Sequence, residues 1–356
     1  GPIGQDVKMK SAETARRIAG KGAVLLKNDD DILPMQFEGK KIAVIGPGGY
    51  KQVMPTFKES PYGFEDRKNS VYHILHQEYG DAVRFAIGDD LDGVVIPSEN
   101  LKPSENSTEH GLNRYIARFT YETLSNGDLD VIPQAETSVL DKEIDFKGET
   151  ALPPLKRDQR RGFFKETPKE YYMWHGYLCP EETGMYRISL QSHFPGIEAF
   201  ERNHVENGDL SVATSGNLYI RECKDAEALT RVGMGVRISA NGVVNPFSEV
   251  VTCKDGWNNA GGTIWLEAGK EYEIYFNHTC IYLDPLEVRL AWTTPSMMEK
   301  AMKEAEREAE QADVVLCFAW HQSVNDRLEL EENQNELIER VAKKNKNIVV
   351  ILNNGD

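Results

Sequence analysis

The run KKIAVIGPGG, residues 40–49, decides how this chain is read. Ile42 to Ile45 is an unbroken apolar, largely β-branched stretch set between two lysines and a glycine-proline turn. A strand buried on both faces looks like this, and a parallel sheet covered by helices on either side requires such strands. Before it, Val7, Ala12, Ala15, Ile18 and Ala19 keep roughly one helical face until Gly20 and Gly22 end the pattern, and AVLLKN (23–28) reads as a short strand. After it, SVYHILHQEYG (70–80) reads as a helix stopping at Gly80, and AVRFAIG (82–88) as another strand. Helix, strand, strand, helix, strand is the order of a parallel α/β layer.

That rhythm stops at a polar stretch near residues 98–112, which reads as a linker. From about 113 to 292 strands dominate: YIARFTYETL, YYMWHGYLC, GMYRISLQS, NLYIRE, GVRISA, TIWLEAG, KEYEIYFNH and EVRLAW. Their alternation of aromatic and β-branched residues, divided by turns such as EETG and LEAGK, predicts an antiparallel sandwich. At Pro295 the first rhythm returns. Ser296 stands where it can cap a helix striped by Met298, Ala301, Met302, Ala305, Ala309 and Ala312. DVVLCFAW (313–320) is then a strand, NQNELIERVAKK (333–344) a helix and NIVVILNN (347–354) a strand. The expected fold is therefore an α/β domain with a mostly parallel sheet, residues 1–100 and 294–356, interrupted at a loop by an all-β sandwich, residues 101–293. No helix follows Asn353 to Asp356, so this sheet is expected to be completed by further polypeptide or by another chain. The opening GPIGQDVKMK lacks the apolar core of a secretory signal and reads as a tag remnant joined to native sequence.

Composition narrows the function classes. Among 356 residues the formal charge is −16, with 40% hydrophobic and 28% charged residues, ordinary for a globular protein. So acidic a chain is a poor partner for nucleic acid, whose phosphates need clustered Lys and Arg. No uncharged apolar window reaches the ~18 residues of a membrane span. The five cysteines are an odd, scattered set without a CxxC pair, which reads as reduced thiols and a cytoplasmic setting.

With the residues laid out, a family resemblance can be stated. KGAVLLKNDDDILPM followed by KKIAVIGPGG, and later ADVVLCFAW, NDRLELEENQNELIERV and NIVVILNNGD, resemble in order the C-terminal α/β sandwich domain of glycoside hydrolase family 3. These stretches cover residues 11–49 and about 305–356. MWHGYLCPEETGMYRISLQS, WLEAGKEYEIYF and VRLAW resemble the protective-antigen-type β-sandwich that some of these glycosidases carry inserted at this point. The resemblance implies a retaining β-glycosidase, often a β-glucosidase, using two carboxylates about 5 Å apart and no cofactor. It also implies partners: a glycoside or oligosaccharide substrate, and a (β/α)8 barrel domain that carries the nucleophilic Asp and lies outside this chain.

The family's acid/base Glu sits in a loop reading Glu-Gly-x-Asp-Arg. Here the loop after DVVLCFAW reads His321-Gln322-Ser323-Val324-Asn325-Asp326-Arg327. Anchored on Asp326 and Arg327, Ser323 falls at the Glu position and Val324 at the Gly. A serine hydroxyl is too weak an acid to protonate a leaving oxygen near neutral pH. Three readings stay open: His321, with an unperturbed pKa of ~6.5, supplies the proton; the acid comes from outside these residues; or the protein is a silent relative that binds sugar. A shifted alignment would bring Glu329, Glu331 or Glu332 into use, though these fit better as the first turn of the next helix. The expected substrate-binding set is Trp320, His321, Gln322, Ser323, Asp326 and Arg327. Of these, Trp320 can either stack on a sugar ring or pack at a strand end, and Asp326 with Arg327 fits a loop-fixing pair.

Other signals are weaker. IGPGG is not GxGxxG, and Pro47 removes an amide that would hold phosphate, so dinucleotide binding is not expected. Ser192-His193-Phe194-Pro195 lacks the Asp pair with which some protective-antigen-type domains hold calcium, and no metal is expected there. Trp174, Trp257 and Trp265 could stack on sugar, but fit better as packing in the sandwich core. His73 and His76, three apart on a helix, have metal-ligand spacing but fit a solvated face better.

Overall fold

The strand expected at residues 42–45 forms β1 (Ile42–Ile45), and all its residues are buried. The computed structural model describes residues 5–29, 31–50, 70–118, 138–155, 157–159, 166–168, 170–192, 214–222, 250–253, 255, 257–280, 285–321, 330 and 333–354. Residues 1–38 form one unit and 39–356 another. In the first, α1 (Gln5–Gly22) carries the predicted helix. AVLLKN is not a strand: Val24, Leu25 and Leu26 are 77%, 64% and 80% exposed and no ladder reaches them among the described residues. An apolar run becomes a strand only when an edge is there to pair with it.

In the second unit α2 (Pro47–Tyr50), α3 (Val71–Tyr79) and β2 (Val83–Ala86) follow β1. Ser70 caps α3, and the Gly80 N–H bonds back to the carbonyl of His76. The chain returns to this layer with α4 (Pro295–Gln311), β17 (Val314–His321), α5 (Gln334–Lys344) and β18 (Ile348–Asn354), the strands between being numbered below. The sheet is parallel, in the order β18-β17-β1-β2. One face buries Ala43, Ile45, Ala86, Val315 and Cys317 under Met302, Ala305 and Ala309 of α4 and Leu337 and Val341 of α5. On the other, Phe85 meets Tyr50 of α2 and Tyr72 of α3, with ring centroids 5.0 and 5.5 Å apart. The predicted α4 stripe is therefore the buried one. Its cap is Thr294 rather than Ser296, with Pro295 in the first turn, where its missing N–H costs nothing. Ser296 instead binds Glu182, whose carboxylate accepts from the Ser296 N–H at 2.9 Å and hydroxyl at 2.7 Å. At the far end, Asn345 Nδ2 donates to the carbonyls of Ala309 and Ala312 and closes the last turn of α4.

Between these segments two antiparallel sheets face each other. One runs β13 (Val250–Thr252), β14 (Asn258–Leu266), β11 (Gly184–Ser192), β16 (Val288–Thr293), β3 (Val94–Val95), with β7 (Asp145–Phe146) also on β16. The other runs β12 (Thr214–Glu222), β15 (Tyr272–Cys280), β10 (Glu170–Leu178), β5 (Leu112–Arg118), β6 (Val139–Asp141), with β4 (Leu101–Lys102) also on β10. A hairpin, β8 (Arg157–Gln159) and β9 (Glu166–Pro168), stands apart from both. The core between the sheets is aromatic and aliphatic, built on Trp174, Tyr186, Phe276, Ile188 and Leu290. The polar stretch 98–112 is more than a tether: Leu101 is fully buried, and Glu271 takes both the Lys102 ammonium and the Asn106 N–H. The GVRISA segment and the second half of YIARFTYETL fall outside the described residues. Among the described residues no helix is long and apolar enough to cross a membrane.

Candidate functional site

In parallel sheets ligands bind where the strands end, because loops leave and helices begin at the carboxyl edge. Here the strands end at different heights. β1 stops at Ile45, paired with Cys317, and Gly46 turns away with φ 97°. A Cβ at Gly46 would lie 2.4 Å from the Phe318 carbonyl oxygen, so only glycine lets the turn pass so close to β17. β17 continues to His321, held on one side by β18 through Trp320↔Asn353 and His321↔Asn354.

On the side β1 has left, one side chain replaces the missing strand. The Trp320 N–H donates to Gln334 Oε1 at 2.8 Å, and Gln334 Nε2 donates to the Trp320 carbonyl at 2.9 Å. Gln334 is only 2% exposed, so this carboxamide satisfies a buried donor and a buried acceptor that would otherwise cost stability. Its neighbour Asn333, at the N-cap position of α5, is fixed in turn by Asp89. The Asn333 N–H donates to Asp89 Oδ2 at 3.2 Å and Asn333 Nδ2 to Oδ1 at 3.1 Å. A carboxylate suits this place, because the amides of a helix N-terminus carry partial positive charge.

Asp89 begins a short segment that also meets the sandwich. Thr293 Oγ1 donates to the Asp90 carbonyl (2.8 Å), Asn259 Nδ2 to that of Leu91 (2.6 Å) and Gln191 Nε2 to that of Asp92 (2.7 Å). All three donors belong to buried residues on the sheet face turned away from the sandwich core. The Leu91 side chain is fully buried against Trp320. Residues 89–92 thus touch the end of β17, the start of α5 and the sandwich at once.

Trp320 is 2% exposed, and its indole Nε1 has no hydrogen-bond partner among the described residues. His321 is the last residue of β17. Gln322, Ser323, Asp326 and Arg327 lie outside the described residues, as do Glu329, Glu331 and Glu332. Burial pushes the Cys317 thiol up to about 12, which makes it a neutral packing group rather than a nucleophile.

Sequence reasoning missed Asp89 and Gln334. A polar residue directly after a Gly at a strand end, and an Asn-Gln pair opening a helix, were the available signals. Of the three tryptophans expected in the core, Trp174 is fully buried, stacked on Phe276 at 4.6 Å, with its Nε1 donating to Asp141. Trp257 lies under the Arg289 guanidinium, 4.5 Å away. Trp265 is a correction: it is 59% exposed beside Met185. Ile264 and Leu266 take the inward positions, and strand alternation sends the residue between them outward. His73 Nδ1 lies 2.6 Å from Ser70 Oγ, and the His76 ring stacks on Tyr72. Among the described residues no group of three His, Cys, Asp or Glu is placed to hold a metal ion, and residues 193–195 lie outside them.

Comparison with known proteins gives the family. The model of the glycosyl hydrolase family 3 C-terminal domain matches residues 23–356. Among solved structures, DesR, a β-glucosidase from Streptomyces venezuelae in complex with D-glucose, superposes with a TM-score of 0.55 at 19% identity, covering 100% of this chain and 34% of that one. A β-glucosidase from Kluyveromyces marxianus in complex with glucose gives 0.38 at 17% identity, covering 99% and 38%, too low a score to carry an argument. The likeness to DesR is one of fold, and the chain spans about a third of that protein's length. No curated protein matches the sequence.

Proposed function

The chain belongs to the glycosyl hydrolase family 3 C-terminal domain family, and from that premise we propose that it forms the non-barrel half of a β-glucosidase-type active site. The nucleophilic carboxylate would come from a (β/α)8 barrel outside these residues, with the loop after β17 facing it across the sugar. What supports this is that β17 ends at His321, held from both sides by Gln334 and β18, and that QSVNDR follows it directly in the sequence. Trp320 would contribute its indole N–H rather than an open ring face, since the ring is covered by Leu91. Gln322, Ser323 and His321 would meet sugar hydroxyls, and Asp326 with Arg327 would brace the loop. The proton for the leaving oxygen would come from His321 or from outside the chain. The sandwich, of protective-antigen type, would border the entrance and select the aglycone or next sugar. The test is hydrolysis of an aryl β-glucoside by the natural full-length protein: turnover inhibited by D-glucose is expected, and its absence would count against an enzyme.

Ser323 favours a second reading, a carbohydrate-binding relative without catalysis, because a serine stands at the acid's position. Sugar binding with no hydrolysis by the full-length protein would favour it.

A further inference from the structure

Asp89 is a fully buried carboxylate that neither the family's acid nor its nucleophile accounts for. It follows β2, yet the groups it is seen to bind, the Asn333 N–H and side-chain amide, belong to the start of α5. Asn333 is joined to Gln334, and Gln334 holds both polar groups of the Trp320 peptide. Leu91, two residues beyond Asp89, packs on the Trp320 side chain from another direction. Trp320 and His321 are the last residues before the loop, and Asn333 is at its other end. A single turn after β2 therefore contacts both ends of the stretch that carries the candidate sugar contacts.

We infer that Asp89 is a positioning residue for this sugar site: through Asn333 and Gln334 its carboxylate fixes the end of β17, and with it Trp320 and His321. The inference rests on the function proposed above for its meaning, though the clamp can be read without any sugar. Asp89 is suited to the task because a carboxylate accepts both bonds from Asn333 on separate oxygens. Leucine at this position, of similar size, accepts neither and leaves both Asn333 donors unmatched. Exchanging the two side chains restores the set: Asn at 89 accepts the backbone N–H and donates to Asp at 333, which is also a favourable helix N-cap.

Two readouts on the natural full-length protein test this. The first is hydrogen exchange at the Trp320 amide, whose acceptor is Gln334. Asp89→Leu is expected to speed exchange at Trp320 by about tenfold or more while the sandwich strands stay protected, and the double exchange Asp89→Asn with Asn333→Asp to keep it slow. The second is kcat/KM for an aryl β-glucoside, expected to fall about 10- to 100-fold in Asp89→Leu, as for a displaced contact, and to stay near wild type in the double exchange. Unchanged exchange in Asp89→Leu, or a double exchange no better than Asp89→Leu, would overturn the inference. A loss of protection throughout the molecule would assign Asp89 a general structural role and would also overturn it. If the wild-type protein neither binds nor cleaves glucosides, the proposed function fails, while exchange at Trp320 still decides whether the clamp exists.

Discussion

Arg340 offers a prediction whose size and pH dependence both follow from geometry. Its guanidinium reaches from α5 to α4, gripping Glu299 with two bonds of 2.7 and 3.0 Å and Glu306 with one of 2.9 Å, while Glu336 joins at 3.2 Å. Hydrogen bonding to Arg340, opposed by burial and helped by the charges of Arg340 and Lys303, lowers the Glu299 pKa from 4.5 to about 2. In a shielded site a shift of that size would correspond to about 3 kcal/mol. Glu299 is 46% exposed, so screening by water reduces its share to about 1 kcal/mol. Glu306 is less exposed, at 23%, and adds up to about 1 kcal/mol. Arg340→Met should therefore cost about 2 kcal/mol at pH 7, measured as the shift in the urea unfolding midpoint.

The sign with pH is fixed. A carboxylate whose folded pKa is depressed contributes stability above its ordinary pKa and loses it as pH falls toward the folded value. The difference between wild type and Arg340→Met should hold from pH 7 to about 5, then shrink steadily toward pH 2. Arg340→Lys should recover less than half, because an ammonium cannot grip Glu299 with two parallel bonds. A difference unchanged between pH 7 and 3, or a lysine variant as stable as wild type, would refute the reasoning.

Two further expectations concern the joint and the loop. Gly93 has φ 61°, and a Cβ there would lie 2.2 Å from the Trp292 carbonyl oxygen, whereas Gly148 has φ 55° with open space around it. Gly93→Ala should thus cost at least about 3 kcal/mol or prevent folding, against about 1 kcal/mol for Gly148→Ala, and equal midpoints would contradict the close approach. In the full-length protein Ser323→Glu should leave kcat/KM for an aryl β-glucoside within about twofold if, as proposed, another group supplies the proton. A rise of about tenfold or more would instead support the silent reading.

What the sequence made legible was periodicity. The doubly buried strand at Ile42, the alanine stripe of α4 and the alternation in β10 and β11 each report local burial, and each found its place. Ladder partners are not local. AVLLKN has the composition of a strand but pairs with no strand among the described residues, while the polar stretch near residue 100 hides a buried leucine and a salt-bridged lysine. Trp265 was misjudged by residue type when its position between Ile264 and Leu266 already pointed it outward. The loop chemistry was legible only through resemblance, and its supports were not. Gln334 matters because β1 stops short of β17, and Asp89 because a turn after β2 lies next to the first residue of α5. The polar residue after Gly88 and the Asn-Gln pair opening α5 are weak signals of these roles, since one contact joins segments more than two hundred residues apart and the other depends on where a neighbouring strand ends.

The proposed function divides one hydrolytic site between this chain and a barrel. Its most direct test is release of p-nitrophenol from an aryl β-glucoside by these 356 residues alone, beside the natural full-length protein. Release by the longer protein and none above background by the chain alone is the predicted result. Enzyme-like turnover by the chain alone would contradict it, because both carboxylates would then have to lie within it.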